Sequence, residues 1–196
     1  MKIAHPTTGE IEFDTLRSFI CDAKKDSWAS GRLPKDLPNN VEGYRYSVGN
    51  LLYTDEYRGD GMFIGTELVY LGSMPIWGMN YAGAFRAPPS FGPEQKTIFK
   101  GAVNRLLRKS LMEVPIHLPF RGPESKVEDV DGVGNFAYTN NVTPRTLTAE
   151  QAIRLFAGSE EIQFRRQPVP LPKEPFTCFS LKYHGGILVP DSFLRE

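Results

Sequence analysis

The segment Val48-Gly49-Asn50-Leu51-Leu52-Tyr53-Thr54 returns later in the chain as Val133-Gly134-Asn135-Phe136-Ala137-Tyr138-Thr139. Five of the seven positions are identical, and the other two exchange one apolar residue for another. Two further pairs of segments follow in the same order. Phe63-Ile64-Gly65-Thr66-Glu67-Leu68-Val69 matches Phe156-Ala157-Gly158-Ser159-Glu160-Glu161-Ile162, and Trp77-Gly78-Met79-Asn80-Tyr81-Ala82-Gly83 matches Phe179-Ser180-Leu181-Lys182-Tyr183-His184-Gly185. The second set is longer only between its segments, where the first set has turns, as strands joined by variable loops require. Each set follows an amphipathic stretch. Duplication is the simplest account, with one unit over about residues 14–86 and the other over about 93–189.

Working outward from the quoted stretch, residues 44–57, 62–71 and 75–81 read as strands. The first is open to a break near Gly49, and the connections Arg58-Gly59-Asp60-Gly61 and Gly72-Ser73 supply hairpin chemistry, which predicts an antiparallel meander. Before it, Asp14 reads as the N-cap of a helix over 14–28. Leu16, Phe19, Ile20 and Ala23 recur at helical spacing there, with Arg17, Lys24 and Lys25 facing outward. Residues 1–13 suit a short hairpin, and the Pro- and Asn-rich stretch 30–43 reads as a loop. The second helix is expected over 93–112, with Ile98, Phe99, Ala102, Val103, Leu106, Leu107 and Leu111 as its apolar stripe. A loop over 115–132 and strands over 134–142, 155–164 and 176–183 complete the second unit. Thr148 is placed to cap a short helix inside the insertion 143–154, and residues 190–196 carry no pattern. The expectation is one α+β domain over 1–196: a duplicated helix-plus-antiparallel-meander unit, its sheet packed on two helices.

Bulk composition narrows the functional classes. The 196 residues are 40% hydrophobic and 12% aromatic, enough for a substantial core. Lys and Arg number 23, as do Asp and Glu, so no global field draws the chain to nucleic acid or to an anionic membrane. The basic residues on the second helix therefore read as a solvated face. Cys21 and Cys178 form no ligand spacing, and His5, His117 and His184 are scattered, so neither a metal nor a cofactor is expected. The cysteine usage and the lack of an apolar leader point to the cytoplasm.

Strand alternation supplies the candidate chemistry. Phe156, Gly158, Glu160, Ile162 and Phe164 share one face, and by correspondence so do Phe63, Gly65, Glu67, Val69 and Leu71. A carboxylate on a buried face is costly unless it is paired or protonated, and here the pattern occurs twice. A bulge at Gly65 or Gly158 would reverse the faces. Either each glutamate closes a structural network with Arg121, Lys182 or a tyrosine hydroxyl, or Glu67 and Glu160 line a pocket between the halves. Trp77, Tyr81, Phe179 and Tyr183 would wall such a pocket. Aromatic walls over carboxylates suit a small cationic or aromatic ligand. A hydrolase using a buried glutamate to activate water is the alternative, and a protein-interaction module the third. No residue is marked as catalytic by any motif.

These segments, with Ala23-Lys24-Lys25, Pro75-Ile76, Leu118-Pro119-Phe120-Arg121-Gly122-Pro123 and His184-Gly185-Gly186, resemble a family of bacterial domains of unknown function. Its members are sometimes joined behind a helix-turn-helix of the XRE type, a segment that this sequence does not carry, so a stand-alone domain is expected. The resemblance covers residues 14–188. It implies a regulatory or ligand-sensing context and carries over no catalytic residue.

Overall fold

The computed structural model describes residues 1–130, 134–143, 148–165 and 175–196. Val133, the first residue of the repeated segment, lies outside them. The chain opens with β1 (Lys2–His5) and β2 (Gly9–Glu12), which pair as the expected hairpin. Then come α1 (Phe13–Asp26), β3 (Lys35–Leu37), β4 (Val41–Val48), β5 (Leu51–Arg58), β6 (Met62–Leu71) and β7 (Met74–Phe85). The second part holds α2 (Pro93–Met112), β8 (Ser125–Val130), β9 (Gly134–Thr143), α3 (Ala149–Arg154), β10 (Leu155–Arg165), β11 (Phe176–Ile187) and β12 (Leu194–Arg195). The fold is α+β.

Nine strands form one antiparallel sheet in the order β3-β4-β5-β6-β7-β11-β10-β9-β8. Outward from the central β7–β11 pair, β6 and β10, β5 and β9, and β4 and β8 hold corresponding places. The quoted segment supplies the turn that makes this order possible. Gly49 has φ 59°, a left-handed conformation that glycine adopts without penalty, and Val48 then pairs directly with Leu51. The stretch 44–57 is therefore two paired strands rather than one.

Four expectations are corrected. Asp14 is not the N-cap: Glu12 occupies that place without a side-chain cap bond, and Asp14 pairs with Arg17 within the first turn. The loops over 30–43 and 115–132 contain β3 with the start of β4, and β8, short strands whose flanking Pro and Gly residues hide the alternation. The tail is not featureless, since β12 pairs with β1. Lys24 points inward, for reasons given below.

The helices cover one face of the sheet. Leu16, Phe19, Ile20 and Ala23 of α1 and Phe99, Val103, Leu106 and Leu107 of α2 join Val69, Met79, Phe136, Ile162 and Leu181 in one core. Phe99 fills its middle, meeting Phe164 edge-on at 4.9 Å and Phe136 at 5.5 Å. The alternation on β6 and β10 holds along the strands: Glu67 is 2% exposed and Glu160 is fully buried. The irregularities in register fall at Val69/Tyr70 and Ile162/Gln163, beyond both glutamates, and leave their faces unchanged. Thr148 does cap α3, accepting from the Gln151 amide at 3.2 Å while the Gln151 side chain accepts from the Thr148 amide at 3.0 Å.

Candidate functional site

The site begins with a tyrosine laid over a glycine. Tyr81 on β7 stands opposite Gly65 on β6, and a Cβ at Gly65 would lie 2.3 Å from the tyrosine ring and hydroxyl. Only a residue without a side chain lets the ring cross the strand. The Tyr81 hydroxyl thereby reaches β5 and donates to Asp55 Oδ1 at 2.7 Å. Asp55 in turn stands directly opposite Glu67 in the β5–β6 register. Tyr183 crosses Gly158 in the same way, with the same 2.3 Å approach, and donates to Asn140 Oδ1 at 2.7 Å. Asn140 stands opposite Glu160. The corresponding positions thus read Tyr53, Asp55, Glu67, Tyr81 in the first half and Tyr138, Asn140, Glu160, Tyr183 in the second.

Each glutamate has a cation. Lys24 of α1 donates to Glu67 Oε2. Arg121, from the loop before β8, directs both Nε and an amino nitrogen to Glu160 Oε2 at 2.7 Å. Tyr138 donates to the other oxygen of Glu160. Arg121 also lies 3.9 Å from Glu67 Oε1, between the two acids, and its guanidinium sits 6.0 Å from the Tyr81 ring centre. Lys182, the other cation considered for this network, is exposed.

Counting charges separates the two halves. Among the described residues the buried acids are Asp55, Glu67 and Glu160, and the buried bases are Lys24 and Arg121. Glu67 and Glu160 have ion-pair partners and Asp55 has none. Burial, then the charge of Glu67, push the Asp55 carboxyl up from its ordinary value to about 7, against the Tyr81 hydrogen bond and the charges of Lys24 and Arg121. Burial lowers the Lys24 ammonium despite its pairing with Glu67. In the second half an amide replaces the surplus acid, and its Nδ2 donates to the Gly122 carbonyl at 2.8 Å.

A cavity of about 240 Å³ opens on the first half, between the sheet, the end of α1 and α2. Asp55, Glu67, Lys24, Tyr81 and Arg121 line its deep side, and Trp28, Tyr57, Phe63 and Phe85 its outer walls. Phe179 and Leu181 reach it from β11. Four of the seven residues singled out from sequence (Glu67, Tyr81, Arg121 and Phe179) therefore meet at one cavity.

The other three do not. Glu160 is closed off by Arg121 and Tyr138. Trp77 is fully buried and stacked on Phe156 at 5.8 Å, and Tyr183 is engaged with Asn140. Trp77 and Tyr183 lie where β7 and β11 pair, and their rings are taken up in the seam between the halves. Sequence reasoning missed Lys24 and Asp55. Lys24 follows Ile20 by one helical turn, on the apolar stripe, but a charged residue there reads as solvated. Asp55 alternates with Tyr53 and Tyr57 on the inward side of β5, a signal present once β4 and β5 are split at Gly49. Among the described residues no group of three His, Cys, Asp or Glu side chains is placed to hold a metal ion.

A domain of unknown function is what fold and site define at this point, and comparison with family profiles agrees. The family described as Domain of unknown function (DUF5680) matches residues 55–189, most of the chain. The protein belongs to that family. Comparison with curated proteins and with solved structures gives no match. No helix of the described residues is long and apolar enough to cross a membrane.

Proposed function

We propose that the chain is a non-catalytic domain that binds a small cation with an apolar or aromatic body, and that it does so in the first-half cavity. The observation that carries this reading is Asp55: a buried acid on an aromatic-walled cavity, without a cationic partner among the described residues. Such a group holds a proton or attracts a positive charge. A protonated amine supplies the charge and donates hydrogen bonds, while Tyr57, Phe63 and Trp28 offer ring faces to its body. The reading treats residues 1–196 as one domain whose halves are copies. The second half is the structural one, its acid paired by the chain's own Arg121 and its second carboxylate replaced by Asn140.

The test is a thermal-shift screen with aliphatic and aromatic amines at pH 8, where Asp55 is ionised. Binding amines raise the melting temperature of the wild-type protein, and Asp55→Asn removes the shift while keeping the fold, because Asn140 already serves in the matching position. A broad amine library that moves neither protein overturns the reading.

One observation favours a hydrolytic alternative: a carboxyl held near neutrality on a cavity wall suits a general base. In that case Asp55, rather than either glutamate, activates the water. Turnover of ester or amide substrates with an inflection near pH 7, lost in Asp55→Asn, would decide for it. An inert protein across such a panel decides against it.

A further inference from the structure

The cavity has a second acid without a cation, and its position narrows the ligand. Glu42 on β4 stands directly opposite Tyr57 on β5, and the Tyr57 hydroxyl donates to Glu42 Oε2 at 2.6 Å. Glu42 therefore lies on the same inward face as Asp55 and lines the same cavity. Among the described residues it has no ion-pair partner. The remaining charges are already matched: Lys24 on Glu67, Lys100 on Asp60, and Arg121 on Glu160 and Glu67. Two acids, each oriented by a tyrosine hydroxyl and each lacking a cation, thus face one space.

Their separation follows from the register. Asp55 is opposite Tyr44 and Tyr57 is opposite Glu42, so Glu42 and Asp55 are diagonal neighbours, with Cα atoms roughly 7–8 Å apart. Tyr57 stands across from Glu42 and two residues from Asp55 on β5, and Tyr44 stacks on it at 6.3 Å. A single ammonium group would balance only one of the two unpaired carboxylate charges. Two ammonium groups joined by a short methylene chain balance both, with the chain lying along the Tyr57 ring and against Phe63. Nothing comparable exists at the matching place in the second half, where Val142 stands for Tyr57 and Asn140 for Asp55.

Resting on the small-cation reading above, we infer that the ligand class is a compact dication, a short α,ω-diamine, whose two ammonium groups pair with Asp55 and Glu42.

Isothermal titration at pH 8 with diamines of three to six methylenes, monoamines of matched length and aromatic amines tests this. The wild-type protein should bind the best diamine at least about tenfold more tightly than its matched monoamine, the gain of one further charge-assisted contact. Glu42→Gln, which keeps the hydrogen bond from Tyr57, should bring the two ligands to within about a factor of two, and Tyr57→Phe should narrow the gap in the same sense. Circular dichroism and melting curves establish that both variants are folded. Monoamines that bind as well as diamines, or a diamine advantage that survives Glu42→Gln, overturn the inference while leaving the small-cation reading intact. Failure of every amine to bind overturns both.

Discussion

At the residue scale the informative comparison is Asp55 with Asn140. The two occupy matching positions, accept the same tyrosine hydrogen bond and stand opposite the two buried glutamates. One is charged and the other is not, and the pH dependence of stability should show it. The folded protein holds the Asp55 proton up to about 7, whereas the unfolded chain releases it near the ordinary 3.8. Between those values the folded state binds more protons, so this group's contribution falls as pH rises from 4 towards 7 and levels off above. Asp55→Asn should therefore gain stability relative to wild type at pH 8, by a few kcal/mol at most at about 1.4 kcal/mol per unit, and gain little at pH 4. Urea unfolding at the two pH values measures the difference, and an equal gain at both would refute the assignment. Lys24 gives a second prediction. Lys24→Met leaves Glu67 charged beside Asp55 with Arg121, at 3.9 Å and already shared with Glu160, as its remaining cation, which should cost about 3–5 kcal/mol. Adding Glu67→Gln to that variant should restore most of the loss. If the double variant is merely the sum of the two single changes, Lys24 and Glu67 are not coupled.

At the level of elements, glycine and tyrosine act as a unit across two strands. The Tyr81 ring occupies the space where Gly65 would carry a side chain, and Tyr183 does the same over Gly158. Gly65→Ala should displace Tyr81, break its bond to Asp55 and destabilise the protein by about 2 kcal/mol or more. Combining it with Tyr81→Phe should add much less than the separate effects sum to, as thermal denaturation of the four proteins can measure. Much of this architecture is legible beforehand. The strands β6, β9 and β10 follow from period-two alternation, and α2 from an apolar stripe bounded by Pro93, although Ile98, counted in that stripe, is exposed. The Glu67 and Glu160 faces follow from the same alternation, and Arg121 from its place in a distinctive loop. What escapes is pairing between distant elements. That Glu67 meets Lys24, and that Asp55 stands opposite Glu67 and Glu42 diagonal to Asp55, are properties of register and helix rotation. No local pattern encodes them. The misplacement of Glu160, Trp77 and Tyr183 has the same origin, since alternation tells which face a residue takes but not whether the space before it is open.

Across the whole molecule the two halves meet along β7 and β11, where Tyr81 and Tyr183 pair directly and the ladder runs from Phe85↔Phe179 to Trp77↔Ile187. The seam is reinforced on the inward side. Trp77 of the first half stacks on Phe156 of the second, Phe63 stacks on Phe179 at 6.1 Å, and Arg121 stands between Glu67 and Glu160. Separating the halves would expose these rings and leave a buried arginine and two buried acids without their shared arrangement. Each half alone would also carry a long unpaired edge strand, β7 or β11, where the two now pair. These terms favour cooperative unfolding of the whole chain over stepwise loss of one half, even though each half has its own helix and meander. Native-state hydrogen exchange in increasing urea resolves the two cases. The slowest amides of β6 and of β10 should converge on one opening free energy with one urea dependence, equal to those of global unfolding. Should β10 exchange through an opening of lower free energy and about half the urea dependence, the halves would be independent folding units, and the proposal of one domain over residues 1–196 would have to be replaced by two.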